Sequence, residues 1–145
     1  VTGLTHDERG YPCATSPSLH EDLVKRLVEK VESARHEIAD YRVTNPDAEV
    51  VFITYGSPAR TVAQVLHDNP DKRIGHLRFR VVWPFPEKAL DEFPDAKVFL
   101  VPEQNLGQMA REIERHTCIP VVPLPRFGGA LHTPAELEKA MEAWR

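Results

Sequence analysis

The sequence predicts an α/β fold in which a mainly parallel sheet is covered on both faces. Short β-branched and apolar runs alternate with segments of helical period. Most runs pass into the next helix through Gly, Ser, Pro or Asn, as strand-to-helix turns do. The length of 145 residues suits one domain, able to bury about two-thirds of its unfolded surface.

The elements follow in order. Residues 1–17 are polar, broken by Gly3, Gly10, Pro12 and Pro17, and read as an N-terminal docking loop. Apolar residues at 23, 24, 27, 28, 31, 34, 38 and 41 then form one helical stripe, so a long helix over 18–43 is expected to lead into a single α/β domain over 18–145. Ser16 before Pro17, or Ser18 with Glu21, supplies its cap. "VVFITY" (50–55) is a buried strand; in "GSPARTVAQVLHDN" Gly56 turns the chain, Ser57 caps and Pro58 opens a helix. "GHLRFRVVWP" (75–84) is a second strand with an exposed end, and "PFPEKALDEF" a short helix at most. "AKVFLV" (96–101) is a third strand and "NLGQMAREIERHT" a full helix. "IPVVPL" (119–124) is a fourth strand, placed at a sheet edge by Pro120 and Pro123, where missing N–H groups cost least. Thr133, Pro134 and Glu136 make a capping box for the last helix, worth about 1 kcal/mol.

Composition excludes several functions. A net charge of -4 argues against a nucleic-acid partner, which needs surplus Lys and Arg on one face. No apolar run reaches the roughly 20 residues of a membrane span. The opening "VTGLTHDERG" does not read as a signal peptide, and two well-separated cysteines, Cys13 and Cys118, point to a reducing, cytoplasmic setting. The missing initiator Met suggests processing or a domain taken from a longer polypeptide. Cys118 reads as a small buried hydrophobe.

Two helix starts, Gly56-Ser57 and Asn105-Leu106-Gly107-Gln108, are expected at the carboxyl ends of the strands, where doubly wound folds bind ligands. Their free N–H groups suit an anion or simply await a cap. Neither loop carries a P-loop or dinucleotide fingerprint. A Gly in the first turn of a helix costs about 1 kcal/mol relative to Ala, which suggests that something approaches the backbone at Gly107. In "THDERG", His6, Asp7, Glu8 and Arg9 crowd a loop, better suited to ion-paired docking than to a metal. "WPFP" (83–86) suits an interface anchor or a loop over the core. The residues spell out no catalytic set and no metal site. An alternative reading is a free-standing anion- or nucleotide-binding module.

"TGLTHDERGYP", "YGSPAR", "WPFPEKAL" and "VPEQNLGQMAREIE", in that order, resemble the C-terminal part of the α subunit of 2-oxoacid:ferredoxin oxidoreductases, the 2-oxoglutarate type above all. The resemblance implies a three-layer α/β/α domain of four to five strands, like the C-terminal domain of transketolase. It implies assembly with the N-terminal part of the same subunit and with a β subunit, and delivery of electrons to ferredoxin. Thiamine diphosphate, Mg and iron–sulfur clusters are then expected elsewhere in the complex: the Gly-Asp-Gly motif is missing, and two cysteines cannot hold a four-thiolate cluster. The enzyme would oxidatively decarboxylate a 2-oxoacid to an acyl-CoA, with the isolated domain inactive.

Overall fold

The computed structural model describes residues 3–70 and 73–144. Val1 and Thr2 of the expected docking loop, and Asp71, Lys72 and Arg145 of the expected domain, lie outside the described residues. The chain divides into two compact units, Val1–Ile38 and Ala39–Arg145.

In the first unit the Asp7 carboxylate accepts hydrogen bonds from the backbone N–H groups of Arg9 and Tyr11, both at 2.9 Å. The chain reverses there and closes on an antiparallel bridge between His6 and Pro12. Helix α1, Pro17–Ser33, starts where Ser16 Oγ accepts from Leu19 N and Pro17 occupies the first turn. A short α2 follows, Arg35–Ile38. The helix expected over 18–43 therefore stops early. Tyr41 fits the helical stripe, but "YRVT" is also a β-branched, alternating run, and sheet pairing claims it. No residue of α1 is buried, and Val24, Leu27 and Val28 are exposed.

The second unit opens with that strand, β1 (Tyr41–Thr44), then β2 (Val50–Tyr55), α3 (Pro58–Asp68) and β3 (Ile74–Phe79). A 3₁₀ turn, Glu87–Glu92, precedes β4 (Val98–Glu103), α4 (Gln108–Glu114), β5 (Val121–Pro125) and α5 (Pro134–Glu142). The five strands lie in the order β1-β3-β2-β4-β5, with only the β1–β3 pair antiparallel. The expected strand over 75–84 ends at Phe79, because the N–H groups of Arg80 and Val81 both turn to Asp40 O.

Alternation along the strands builds a core on each face. Val50 and Phe52 join Val62 and Val65 of α3 and Leu137 and Met141 of α5. Val51 and Ile53 join Leu90 and Phe93 around the 3₁₀ turn and Met109 and Ile113 of α4. Gly75 permits the second packing, since a Cβ there would lie 2.8 Å from Val51 Cγ2 and 2.9 Å from Phe93 Cε1. "WPFP" divides its labour: Phe85 is buried and stacks on His116 with ring centroids 4.9 Å apart, while Trp83 is exposed. The three layers match the expected fold class.

β5 is an edge strand, as its prolines predict. Phe99 N–H donates to Pro120 O and Arg126 N–H to Glu103 O, so Val122 and Leu124 turn their backbone toward β4. Pro123 and Pro125 face outward and leave the open edge short of donors for strand addition.

Candidate functional site

β2 is the centre of the parallel set: α3 carries the chain to β3 on one side, and β4 lies on the other. The carboxyl ends of β2 and β4 flank the position where such folds bind ligands, and both expected helix starts arrive there. The structure thus brings Gly56 and Ser57 together with Asn105, Gly107 and Gln108.

What they do there differs from expectation at Ser57. Its backbone is helical and its hydroxyl makes no cap; instead Oγ donates to Gln104 Oε1 in the neighbouring loop. Gln104 Nε2 in turn reaches Ala130 O at 3.3 Å. The helical backbone of Ser57, φ -66° and ψ -37°, explains the lost cap, because a capping residue needs an extended backbone to turn its side chain onto the first N–H groups.

The start of α4 is held by two acceptors. Asn105 Oδ1 accepts from Gly107 N at 2.9 Å and Gln108 N at 2.8 Å, and its Nδ2 donates to Tyr55 OH at 2.9 Å. Glu103, fully buried, accepts from Met109 N at 2.8 Å and Ala110 N at 3.2 Å. Four successive N–H groups are therefore occupied by the chain's own side chains, and one occupant is a carboxylate. Burial raises the Tyr55 pKa; the nearby Glu103 adds to the rise, and the Asn105 hydrogen bond offsets part of it. Gly107 has φ 90°, and the nearest atom to a Cβ there would be Pro123 Cβ at an ordinary 3.8 Å. Left-handed backbone, rather than a close neighbour, is what demands glycine.

At the start of α4 the N–H groups that would cradle a phosphate are taken, whereas the start of α3 carries no side-chain cap. Sequence reasoning missed Glu103; the signal was an acid ending the apolar run "VFLVPE" just before a helix.

His6, Asp7, Glu8 and Arg9 belong to the first unit. Asp7 is spent on its own turn, His6 Nδ1 donates to Leu4 O at 3.3 Å, and Glu8 and Arg9 are exposed. Among the described residues no group of three or more His, Cys, Asp or Glu gathers as metal ligands would. Cys118 is exposed, contrary to the burial expected of it, because the chain leaves α4 through a surface turn before reaching β5.

The loops around the strand ends expose apolar side chains: Leu106 after β4, Phe127 and Leu131 after β5, and Trp83 after β3. The Gln104–Ala130 contact ties the first two loops together.

Fold and strand ends together define an α/β/α module in which the helix start after β4 is held by the chain's own side chains. Residues 48–137 match pyruvate:ferredoxin oxidoreductase core domain II, and the chain belongs to that family. It is 44% identical over 145 residues to the 2-oxoglutarate synthase subunit KorA of Methanocaldococcus jannaschii, covering 97% of this chain and 39% of that protein. The corresponding subunit of Archaeoglobus fulgidus is 31% identical over 144 residues, covering 97% and 40%. Among solved structures, 2-oxoglutarate:ferredoxin oxidoreductase from Magnetococcus marinus, with 2-oxoglutarate, coenzyme A and succinyl-CoA bound, superposes with a TM-score of 0.82 at 28% identity. That match covers 98% of this chain and 26% of the other. The chain thus spans about two-fifths of the length of the curated relatives it matches. The resemblance read from the four motifs is borne out, and the relatives are subunits of enzymes. Among the described residues no helix is long and apolar enough to cross a membrane.

Proposed function

We propose that this chain is the C-terminal domain of the α subunit of a cytoplasmic 2-oxoglutarate:ferredoxin oxidoreductase, contributing contact surface rather than reactive groups. One observation carries the reading: the four N–H groups at the start of α4 are consumed internally by Asn105 and Glu103, while the loops around them expose Leu106, Phe127 and Leu131. A helix start so arranged leaves none of those four N–H groups for an anion, and the loops beside it offer apolar area to a protein.

The partners on this reading are the N-terminal part of the same subunit and a β subunit. Through the assembled complex, electrons pass to ferredoxin. Thiamine diphosphate, its Mg and the iron–sulfur clusters are held by those other parts, which oxidatively decarboxylate the 2-oxoacid to its acyl-CoA. α1 supports the same reading. It buries none of its 17 residues, and a helix of that length draws most of its stability from packing an apolar face. The exposed stripe at Val24, Leu27 and Val28 is such a face. The "THDERG" loop serves docking as well, with Glu8 and Arg9 exposed for ion pairing.

The test pairs calorimetry with co-purification. The chain alone should give no heat with Mg and thiamine diphosphate, and the assembled subunits should separate when Leu106→Glu is combined with Leu27→Glu. Tight thiamine diphosphate binding by the chain alone would overturn the proposal.

A further inference from the structure

The two edges of the sheet are finished differently. β5 is short of outward donors because of Pro123 and Pro125. β1 forms the other edge, pairs with β3 alone and contains no proline. Arg80 N–H donates to Asp40 O at 2.9 Å, which extends the β1–β3 register one pair beyond Tyr41 and Phe79. Bonded pairs alternate along an antiparallel ladder, so Arg42 bonds Arg78 and Thr44 bonds His76. Tyr41 and Val43 therefore turn their N–H and C=O groups away from β3, and no other group among the described residues receives those N–H groups.

The side chains of β1 sort by face. Tyr41 and Val43 are partly buried against the core that Val51 and Ile53 join, and Tyr41 Oη donates to Glu92 Oε1 at 3.1 Å. Arg42 lies on the opposite face, directly across from Arg78, and both are exposed. Like charges so placed, with Cβ atoms about 5 Å apart, repel each other. Neither guanidinium meets a carboxylate among the described residues. Arg80 shows the compensated case, 3.2 Å from Asp40. The edge thus joins open backbone groups to half-covered apolar side chains on one face and uncompensated positive charge on the other.

We propose that the β1 edge receives an extended segment of a partner polypeptide in which acidic and apolar residues alternate. Its backbone pairs with Tyr41 and Val43, its apolar side chains complete the cover over those two residues, and its acids lie beside Arg42. Charge selects this occupant over a second copy of the chain, whose own β1 brings the same arginine. The surface uses neither α1 nor the apolar loops invoked above, so it stands or falls apart from that reading.

The test titrates the full chain with a capped heptapeptide of alternating Glu and Val, and with its Lys–Val counterpart, while NMR follows the Tyr41 and Val43 amides and their exchange with solvent. The Glu peptide should shift both amides saturably and slow their exchange. The Lys peptide should bind at least about threefold more weakly, as one reversed cross-strand charge pair requires. Arg42→Glu should invert the preference. Val43→Pro should abolish binding while the β3 amides keep their protection, because the N–H it removes faces away from β3. Equal binding of the two peptides, binding retained in Val43→Pro, or no saturable shift up to millimolar Glu peptide would overturn the proposal. So would protection of Tyr41 and Val43 that grows with the concentration of the chain alone, which identifies a second copy as the occupant.

Discussion

Each face of the sheet buries an ionisable strand residue, and the two faces accommodate it differently. On the α3 face, His76 shares a 2.7 Å hydrogen bond with Thr54 and has no charged hydrogen-bond partner among the described residues. On the α4 face, Glu103 receives two backbone N–H groups from a helix start. A hydroxyl beside His76 cannot compensate a buried imidazolium, and burial, reinforced by Arg78, lowers its pKa to about 4. Glu103 instead has both side-chain oxygens matched by N–H donors, Met109 N at 2.8 Å and Ala110 N at 3.2 Å. One residue is tolerated by the fold; the other helps to make it, because α4 cannot start in this place without an acceptor beneath it.

The largest expected effect breaks the second arrangement. Glu103→Ala strands the N–H groups of Met109 and Ala110, both in buried residues, and should cost about 3 kcal/mol. Urea denaturation of the chain measures this directly. Glu103→Gln sharpens the comparison. The amide oxygen still accepts one N–H, while its NH₂ group faces the other, so about half the loss is expected. Equal stability of wild type and Glu103→Ala would mean that α4 is held by packing alone.

His76 yields the next effect through pH. Its folded pKa lies below the ordinary 6.5, so above pH 6.5 neither state is protonated and the group contributes nothing against folding. As pH falls from 6.5 toward 4, the unfolded chain takes up a proton that the folded one refuses, and stability drops by about 3 kcal/mol in all. The fall between pH 6.5 and 4.5 is diagnostic. Glu136, held near a pKa of about 2 first by the Thr133 N–H and then by Arg126, withdraws its contribution only at lower pH. His76→Gln should flatten the upper window and leave the acid limb in place.

How much of this was legible in the sequence depends on whether a signal was local. β2 and the Thr133–Glu136 capping box were readable because a pure apolar run and a four-residue motif decide them alone. The edge position of β5 was readable because proline removes a donor wherever it sits. The end of α1 was not, since 34, 38 and 41 fit a helical stripe while Tyr41 and Val43 equally fit a strand, and only pairing with β3 decides between them. The convergence of Ser57 and Asn105 on one edge followed from the βαβ pattern. Their partners did not: Gln104 and Tyr55 are reached across the sheet. Glu103 escaped for a related reason, because a lone acid acquires its meaning from burial, which spacing does not report.

The smaller effects separate the two helix starts themselves. Asn105→Ala removes the acceptor for Gly107 N and Gln108 N and the contact to Tyr55, and should cost about 1 kcal/mol, the usual value of an N-terminal cap. Ser57→Ala removes a hydroxyl that the sequence assigns to capping, yet the structure gives it no helix N–H to hold. The loss is confined to one exposed contact with Gln104 and should stay below about 0.5 kcal/mol. The pair therefore measures the same nominal motif at two strand ends, and a cost at Ser57 equal to that at Asn105 would show that the Ser57–Gln104 link, rather than the cap, fastens the two loops. In that case Gln104→Ala should reproduce the Ser57→Ala loss, and the double variant should lose no more than either alone.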